Sequence, residues 1–343
     1  MSGRYFALSS KEHETLPSAE LKGALEAEDV PYTVVSSAPG FIMLDSTDQT
    51  TRGCRRTVLT NLLCRHLFTC AGEIGEIRQS ISGIDPRDVA EDPQEFAVRV
   101  TSLQNSPFKS PSELEPIIGE YLLKRLCGWR VNLSRPTVEF QGVVWEGGFT
   151  LGIRLYRRPS GLLKDREPSL RPAFHPATLT PRLARIMVNL ARARAGSLFL
   201  DPFCGVGGIL IEAGLIGCQL LGGDAKLSMC LSALKNLRHY SLDPLAIVQS
   251  DAESLPLVKV EAVATDPPYG TSASTMRRTT KDIIRGFLPE CHEALDRGGF
   301  LCIASPKGVE TKEEGVDAGF KLVESHSIFI HRRLTREITV FQR

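Results

Sequence analysis

The sequence predicts two architectures in one chain: an α+β region in its first half, and in its second an α/β domain with a parallel sheet covered by helices on both faces. Three observations carry this. Beyond Pro172, helical stretches alternate with short apolar strands, the pattern of a parallel sheet. Before Arg157, short strands and isolated helices show no such alternation. Between them, residues 157–172 (RRPSGLLKDREPSLRP) are rich in Pro and Arg, poor in periodic apolar residues, and read as a basic linker.

Taken in order, residues 4–9 (RYFALS) predict a strand, 17–28 a helix capped by Ser18, and 32–35 with 41–44 a hairpin around Ala38-Pro39-Gly40. Residues 51–70 place Val58, Leu59, Leu62, Leu63 and Leu67 at helical spacing against Arg52, Arg55, Arg56 and Arg65, which predicts an amphipathic helix with a basic face. A second small unit follows, with strand 96–100, helix 112–126 and strands 137–144 and 149–154. The α/β part then runs helix 181–193, strand 197–201, helix 207–214, strand 219–224, helix 226–240, strand 247–250 and strand 262–266. The expected division is residues 1–50, 51–156, the linker 157–172, and 173–343.

At 343 residues the chain exceeds a single core, and 42% hydrophobic with 24% charged residues excludes a disordered or fibrous protein. A net charge of +1 means that any nucleic-acid face must come from gathered cations, not from the sum. Nine cysteines stand singly with no C-x-x-C pair, so no metal is expected and the thiols read as reduced. Asp201, Glu212 and several glycines interrupt the apolar stretch 196–221, which excludes a membrane span, and the opening MSGRYFALSSKEHE lacks a signal peptide's apolar core. A cytoplasmic protein is expected.

The chemistry gathers at strand ends. Strand 197–201 runs into Asp201-Pro202-Phe203-Cys204-Gly205-Val206-Gly207-Gly208 and then a helix, so glycines permit a tight turn and close approach of a ligand. Alone this is an ordinary βα connection. Asp224, however, ends the next strand 19 residues after Gly205, the spacing at which an acid accepts both hydroxyls of an adenosine ribose. Asp251, followed by Ala252, ends a third strand. A pyrophosphate ligand would disfavour Asp201 in its loop. A cationic one, such as S-adenosylmethionine, tolerates it. Cys204 needs only to be small there, because an amine substrate requires no covalent step.

The fourth strand ends in Thr265-Asp266-Pro267-Pro268-Tyr269-Gly270. The prolines fix φ and remove donors, so the Asp266 carboxylate and the Pro267 carbonyl both present acceptors. Two acceptors on an exocyclic amine favour a pyramidal nitrogen with a usable lone pair, and catalysis is then largely positioning. Tyr269 offers a flat face for a base that has left its helix, worth about 1–3 kcal/mol.

These residues resemble the THUMP-domain tRNA guanosine N2-methyltransferases of archaea and eukaryotes that act at tRNA position 10. The segment RPAFHPATL (residues 171–179), the loop DPFCG with Gly207-Gly208, the strand end DPPYG and the C-terminal HRRLTR (residues 331–336) carry the resemblance. It implies an α/β Rossmann-like class I methyltransferase domain, preceded by an α+β region made of a ferredoxin-like module and a THUMP unit. It implies S-adenosylmethionine as cofactor, with His175 and Thr178 at its methionine end, Asp201, Phe203, Gly205 and Gly207 in the loop, Asp224 on the ribose, and Asp251 with Ala252 on the adenine. Asp266, Pro267 and Tyr269 become catalytic, and Pro268, Arg332 and Arg336 substrate-binding. Arg277, Arg278 and Lys281, just after the catalytic loop, suit RNA phosphates, as do Arg52, Arg55, Arg56, Lys124, Arg125, Arg130, Arg157 and Arg158 in the first half. The implied partners are tRNA and a small zinc-binding activator subunit, as in many relatives. N2-guanosine methylation at another tRNA position, and adenine N6-methylation with the same strand end, stay open on these residues. So does the number of methyls added.

Overall fold

The computed structural model describes residues 2–103, 111–255, 259–269, 278–332 and 334–343. Two compact units emerge, the first from Met1–Ser18, Val30–Arg55 and Leu59–Arg158, the second from Ala19–Asp29, Arg56–Val58 and Pro159–Arg343.

The first unit holds an eight-stranded sheet ordered β2-β3-β1-β4-β8-β7-β5-β6. Its strands are β1 (Ser2–Ser9), β2 (Thr33–Ala38), β3 (Phe41–Thr47), β4 (Thr60–Cys70), β5 (Glu95–Ser102), β6 (Arg130–Val131), β7 (Val138–Trp145) and β8 (Gly148–Arg157). With helices α1 (Leu16–Ala27) and α2 (Thr50–Arg56), the chain to Cys70 runs βαββαβ, and its four strands pair antiparallel in the ferredoxin-like order. Helices α3 (Ile74–Ser82) and α4 (Pro111–Arg125) follow, and Ile77, Ile81, Ile118 and Leu122 pack with Phe96, Phe140 and Phe149 in one core.

Two local expectations are corrected. The single helix expected over residues 51–70 is a short helix, α2, and then a strand, β4. β4 is central and buries Leu62, Leu63 and Cys64 in succession, so it lacks the period-two alternation of a half-exposed strand and its apolar cluster mimics a helical stripe. Ser18 lies inside α1 and does not cap it; its hydroxyl donates to the Thr15 carbonyl at 2.8 Å.

The second unit holds a seven-stranded sheet ordered β11-β10-β9-β12-β13-β15-β14. Its strands are β9 (Leu198–Asp201), β10 (Gln219–Asp224), β11 (Ala246–Gln249), β12 (Val260–Thr265), β13 (Leu295–Pro306), β14 (Lys321–His331) and β15 (Leu334–Gln342). All pairs from β11 to β13 are parallel, whereas β15 runs antiparallel between β13 and β14. Helices α5 (Pro181–Leu190), α6 (Gly208–Gly214), α7 (Leu227–His239), α8 (Thr280–Ala294) and α9 (Thr311–Asp317) complete the unit. Thr180 caps α5 ahead of Pro181, and Thr279 with Asp282 forms a capping box on α8. α8 places Ile284, Phe287 and Leu288 against Leu200, Val263 and Leu301 of the sheet, each fully buried side chain contributing about 1.5–3 kcal/mol. None of the described helices is long and apolar enough to cross a membrane.

Charged groups are also buried here. Arg56, expected on a basic face, is buried in the second unit, donating to Glu28 at 2.8 Å and to Asn189 Oδ1 at 3.1 Å. The stretch 157–172 contributes Arg166 and Arg171 to the interior. Arg166 Nη1 and Arg185 Nε both donate to Glu212 Oε2 of α6, at 2.7 and 2.8 Å. Removing Glu212 would take from two buried guanidinium groups their shared buried counter-charge, leaving Arg166 only the exposed Asp165 at 3.8 Å. Glu212→Ala is therefore expected to lower unfolding free energy by about 3–5 kcal/mol in urea denaturation, and Glu212→Gln by less.

Candidate active site

Strands β9, β10 and β11 and the end of β12 lead into loops that line one cleft of about 320 Å³. It lies where the strand order reverses, between β9 and β12, the place at which open α/β sheets take ligands. His175, Thr178, Asp201, Phe203, Gly205, Asp224, Asp251, Ala252, Asp266, Pro267, Pro268, Tyr269, Arg278 and Arg336 all line it. Gly207 shapes the turn instead. It precedes α6 as its N-cap at φ +84°, where a Cβ would also come within 3.3 Å of Ala233. Arg332 is exposed in the turn between β14 and β15, and Arg277, like Gly270 and Arg333, lies outside the described residues.

Asp201 is only 1% exposed. Its Oδ1 accepts from Thr265 Oγ1 at 2.7 Å and from the Phe203 N–H at 3.3 Å. Burial pushes its carboxyl up to about 7, against the pull of these hydrogen bonds, with Asp266 and Asp224 adding repulsion. Thr265 is the residue that the sequence reading passed over; its signal was a hydroxyl at the strand end beside β9. Asp224 is oriented by two backbone donors, the Gly205 N–H on Oδ2 at 3.1 Å and the Lys226 N–H on Oδ1 at 2.9 Å. Each oxygen keeps a lone pair for a ligand hydroxyl.

Asp251 accepts from the Glu253 N–H at 3.1 Å, and Arg278 bridges Asp251 at 3.4 Å and Glu253 at 2.5 Å. Arg278, named for RNA phosphates, is thus paired within the cleft wall. Cys204 is buried, which raises its thiol well above the ordinary range and keeps it from acting as a thiolate. His175 is exposed on the rim, where its Nδ1 accepts from the Ala177 N–H at 3.3 Å.

The strand end forms a three-residue cluster. The Tyr269 hydroxyl donates to Asp266 Oδ1, Arg336 Nη2 donates to Asp266 Oδ2 at 3.3 Å, and Arg336 Nε donates to the Tyr269 oxygen at 2.9 Å. The guanidinium also lies over the Tyr269 ring, 5.3 Å from its centroid. Burial pushes the Asp266 carboxyl up to about 6, although Arg336 and the Tyr269 hydrogen bond pull it down. Burial and then the neighbouring carboxylate raise the Tyr269 hydroxyl far above its usual value, so it stays a donor. Tyr269, expected only as a stacking surface, is therefore also a hydrogen-bond partner of the acid.

A seven-stranded sheet in this order, with its ligand-facing acids at the reversal point, defines a Rossmann-like class I methyltransferase domain. Residues 168–336 match the model of an RMKL-like methyltransferase domain, and residues 71–154 match the THUMP domain. The chain is 36% identical over 344 residues to a tRNA (guanine(10)-N2)-dimethyltransferase of Methanothermobacter thermautotrophicus, covering 98% of both chains. It is 31% identical to the enzyme of the same description from Methanocaldococcus jannaschii, covering 97% of both. The crystal structure of TrmN from Thermus thermophilus superposes with a TM-score of 0.57 at 21% identity, covering 99% of both chains. The chain belongs to the THUMP-domain tRNA (guanine(10)-N2)-dimethyltransferase family.

The buried Asp201 gives a measurable pH dependence. Its carboxyl ionises near pH 4 in the unfolded chain and at about 7 in the fold. The stability it contributes is therefore present below about pH 4 and lost as pH rises through about 7. Asp201→Asn keeps an Oδ1 acceptor for Thr265 and Phe203. The stability of wild type relative to this variant is expected to fall between those pH values in urea titrations, and a flat difference would exclude burial of the ionised form as the cause.

Proposed function

We propose that the protein transfers two methyl groups, one after the other, from S-adenosylmethionine to the exocyclic N2 amine of guanosine at position 10 of tRNA. The observation that carries this is that Asp266, at the end of β12, shares one cleft with Asp224 and Asp251. The position and the number of methyls follow the near-full-length relatives.

The cleft fits the cofactor. Four carboxylates around it suit a cation, and Asp224 keeps lone pairs for the two ribose hydroxyls. Asp251 and Ala252 would meet the adenine, and His175 and Thr178 the methionine end. When bound, the cofactor supplies an electrophilic methyl on a sulfonium. The rest is positioning by this chain. In the first transfer Asp266 and the Pro267 carbonyl would accept the two amine hydrogens, the amine taking the place that the Tyr269 hydroxyl holds on Asp266; in the second, Asp266 would accept the one that remains. Each transfer sheds one amine proton, which Asp266 would take and pass to solvent. The Tyr269 ring then supports the extruded base, and Arg336 keeps Asp266 ionised.

The THUMP-matching residues and the exposed Arg52, Arg55 and Arg130 of the first unit would meet tRNA phosphates, with affinity falling steeply as salt rises. Such an enzyme works in the cytoplasm. A small zinc-binding activator subunit would cover the edge made by β11 and α7, which exposes Leu227, Leu231, Leu245 and Val248.

The decisive experiment is transfer of labelled methyl to an unmodified tRNA transcript, followed by nucleoside mapping. Label in N2-dimethylguanosine at position 10 is expected, and label on adenine overturns the reading. Asp266→Ala is expected to lower kcat by about 100-fold or more. In the wild type, kcat/KM should rise with pH through about 6 as Asp266 ionises. In Arg336→Ala that limb should move to higher pH, because the arginine favours the carboxylate. For the activator, Leu231→Glu should abolish stimulation by an added subunit while leaving the basal rate unchanged; full activity of the chain alone would remove the need for one.

A further inference from the structure

Phe329 is 71% exposed, more than any other large apolar side chain among the described residues. It lies near the end of β14, the edge strand of the second unit's sheet, with Ile330 also exposed beside it. An exposed aromatic ring on an edge strand invites association and calls for an explanation.

The register supplies one. β13 is parallel to β12, so its end at Pro306 lies on the same carboxyl edge of the sheet as Asp266. Arg336 pairs with Pro306 on one side and Ile328 on the other, and Thr335 pairs with Phe329. The Lys307 N–H donates to the Thr335 carbonyl at 2.9 Å. Lys307, Thr335 and Phe329 thus form a row across three neighbouring strand ends, one residue further out than Arg336, which holds Asp266. Strands lie about 5 Å apart, so Phe329, on the third strand from β12, stands about 15 Å along this edge from Asp266, and its side chain leaves the sheet on the face opposite that of Arg336. Lys307 and Arg332, both exposed, add positive charge to the same rim.

We propose that Phe329 is a stacking platform for a nucleobase next to the target guanosine in the tRNA. This rests on the function proposed above. Extruding the guanosine leaves its neighbour with an open π face, and an aromatic ring flanked by cations is the surface that takes such a base. Phe329 positions substrate and takes no part in the methyl transfer.

The test compares Phe329→Ala, Phe329→Leu and Phe329→Trp in the full chain, on a tRNA transcript carrying 2-aminopurine at position 9 or 11. Ala and Leu are expected to lower kcat/KM for tRNA by about 5- to 100-fold, through KM, with cofactor affinity, melting temperature and saturating kcat unchanged. Trp is expected to retain wild-type kcat/KM. Quenching of 2-aminopurine on binding should be lost in Ala and Leu at one of the two positions. Wild-type behaviour of the Leu variant would overturn the proposal in favour of a merely apolar contact, such as a protein partner makes. Unchanged kinetics in Ala, or quenching that persists there at both positions, would overturn it too. Nucleoside mapping on the wild type keeps the parent reading separate: label elsewhere than guanosine N2 sinks that reading, while the Phe329 kinetic ratios still score the platform.

Discussion

One buried hydrogen bond sets the geometry on which the cleft depends. Thr265 Oγ1 donates to Asp201 Oδ1 at 2.7 Å, joining the ends of β12 and β9 at the point where the sheet reverses its order. The same oxygen receives the Phe203 N–H and so fixes the first turn of the glycine loop. Thr265 is also the residue before Asp266. A single carboxylate therefore sets the loop on one side and the strand end that carries Asp266 on the other, with a paired bond that offsets part of its desolvation.

The arrangement has an electrostatic cost. Asp201 is buried and Asp266, nearby, is partly buried, and both are pushed toward the neutral form. The protein answers them differently. Asp201 receives only neutral donors, which suits a residue that holds backbone in place. Asp266 receives Arg336, which favours its ionised, accepting form. A cationic ligand entering among four acids would lower the remaining repulsion, so the site is matched to the charge of a sulfonium as well as to the shape of an adenosine.

Much of this was legible in the sequence, because βα alternation tells where strands end and the acids stand at those ends: Asp201, Asp224, Asp251 and Asp266 all line the cleft. The antiparallel end of the sheet was not, since no element was read beyond residue 266. The role of Arg336 beside Asp266 depends on a pairing across 70 residues, visible only once β15 is inserted next to β13. β4 was hidden for the opposite reason. A strand buried on both faces carries no alternation, and the arginines of α2 ahead of it completed the appearance of a helix. Arg166 and Arg171 looked like linker charge because the acid that pairs with Arg166 lies on α6, far along the chain.

The insertion of β15 between β13 and β14 thus has a chemical consequence. A purely parallel continuation would bring a strand's carboxyl end, and a loop, to the edge beside Asp266. The antiparallel strand instead brings its first residues there, with backbone already locked to neighbours on both sides through Pro306 and Ile328. Arg336 projects from that rigid ladder and not from a loop, so its guanidinium stays placed whether or not the Tyr269 hydroxyl occupies Asp266. In the proposed reaction the tyrosine, held by two side-chain contacts at a strand end, would be the member of the cluster that yields to an incoming amine. The arginine would remain as the charge that favours the ionised form of Asp266.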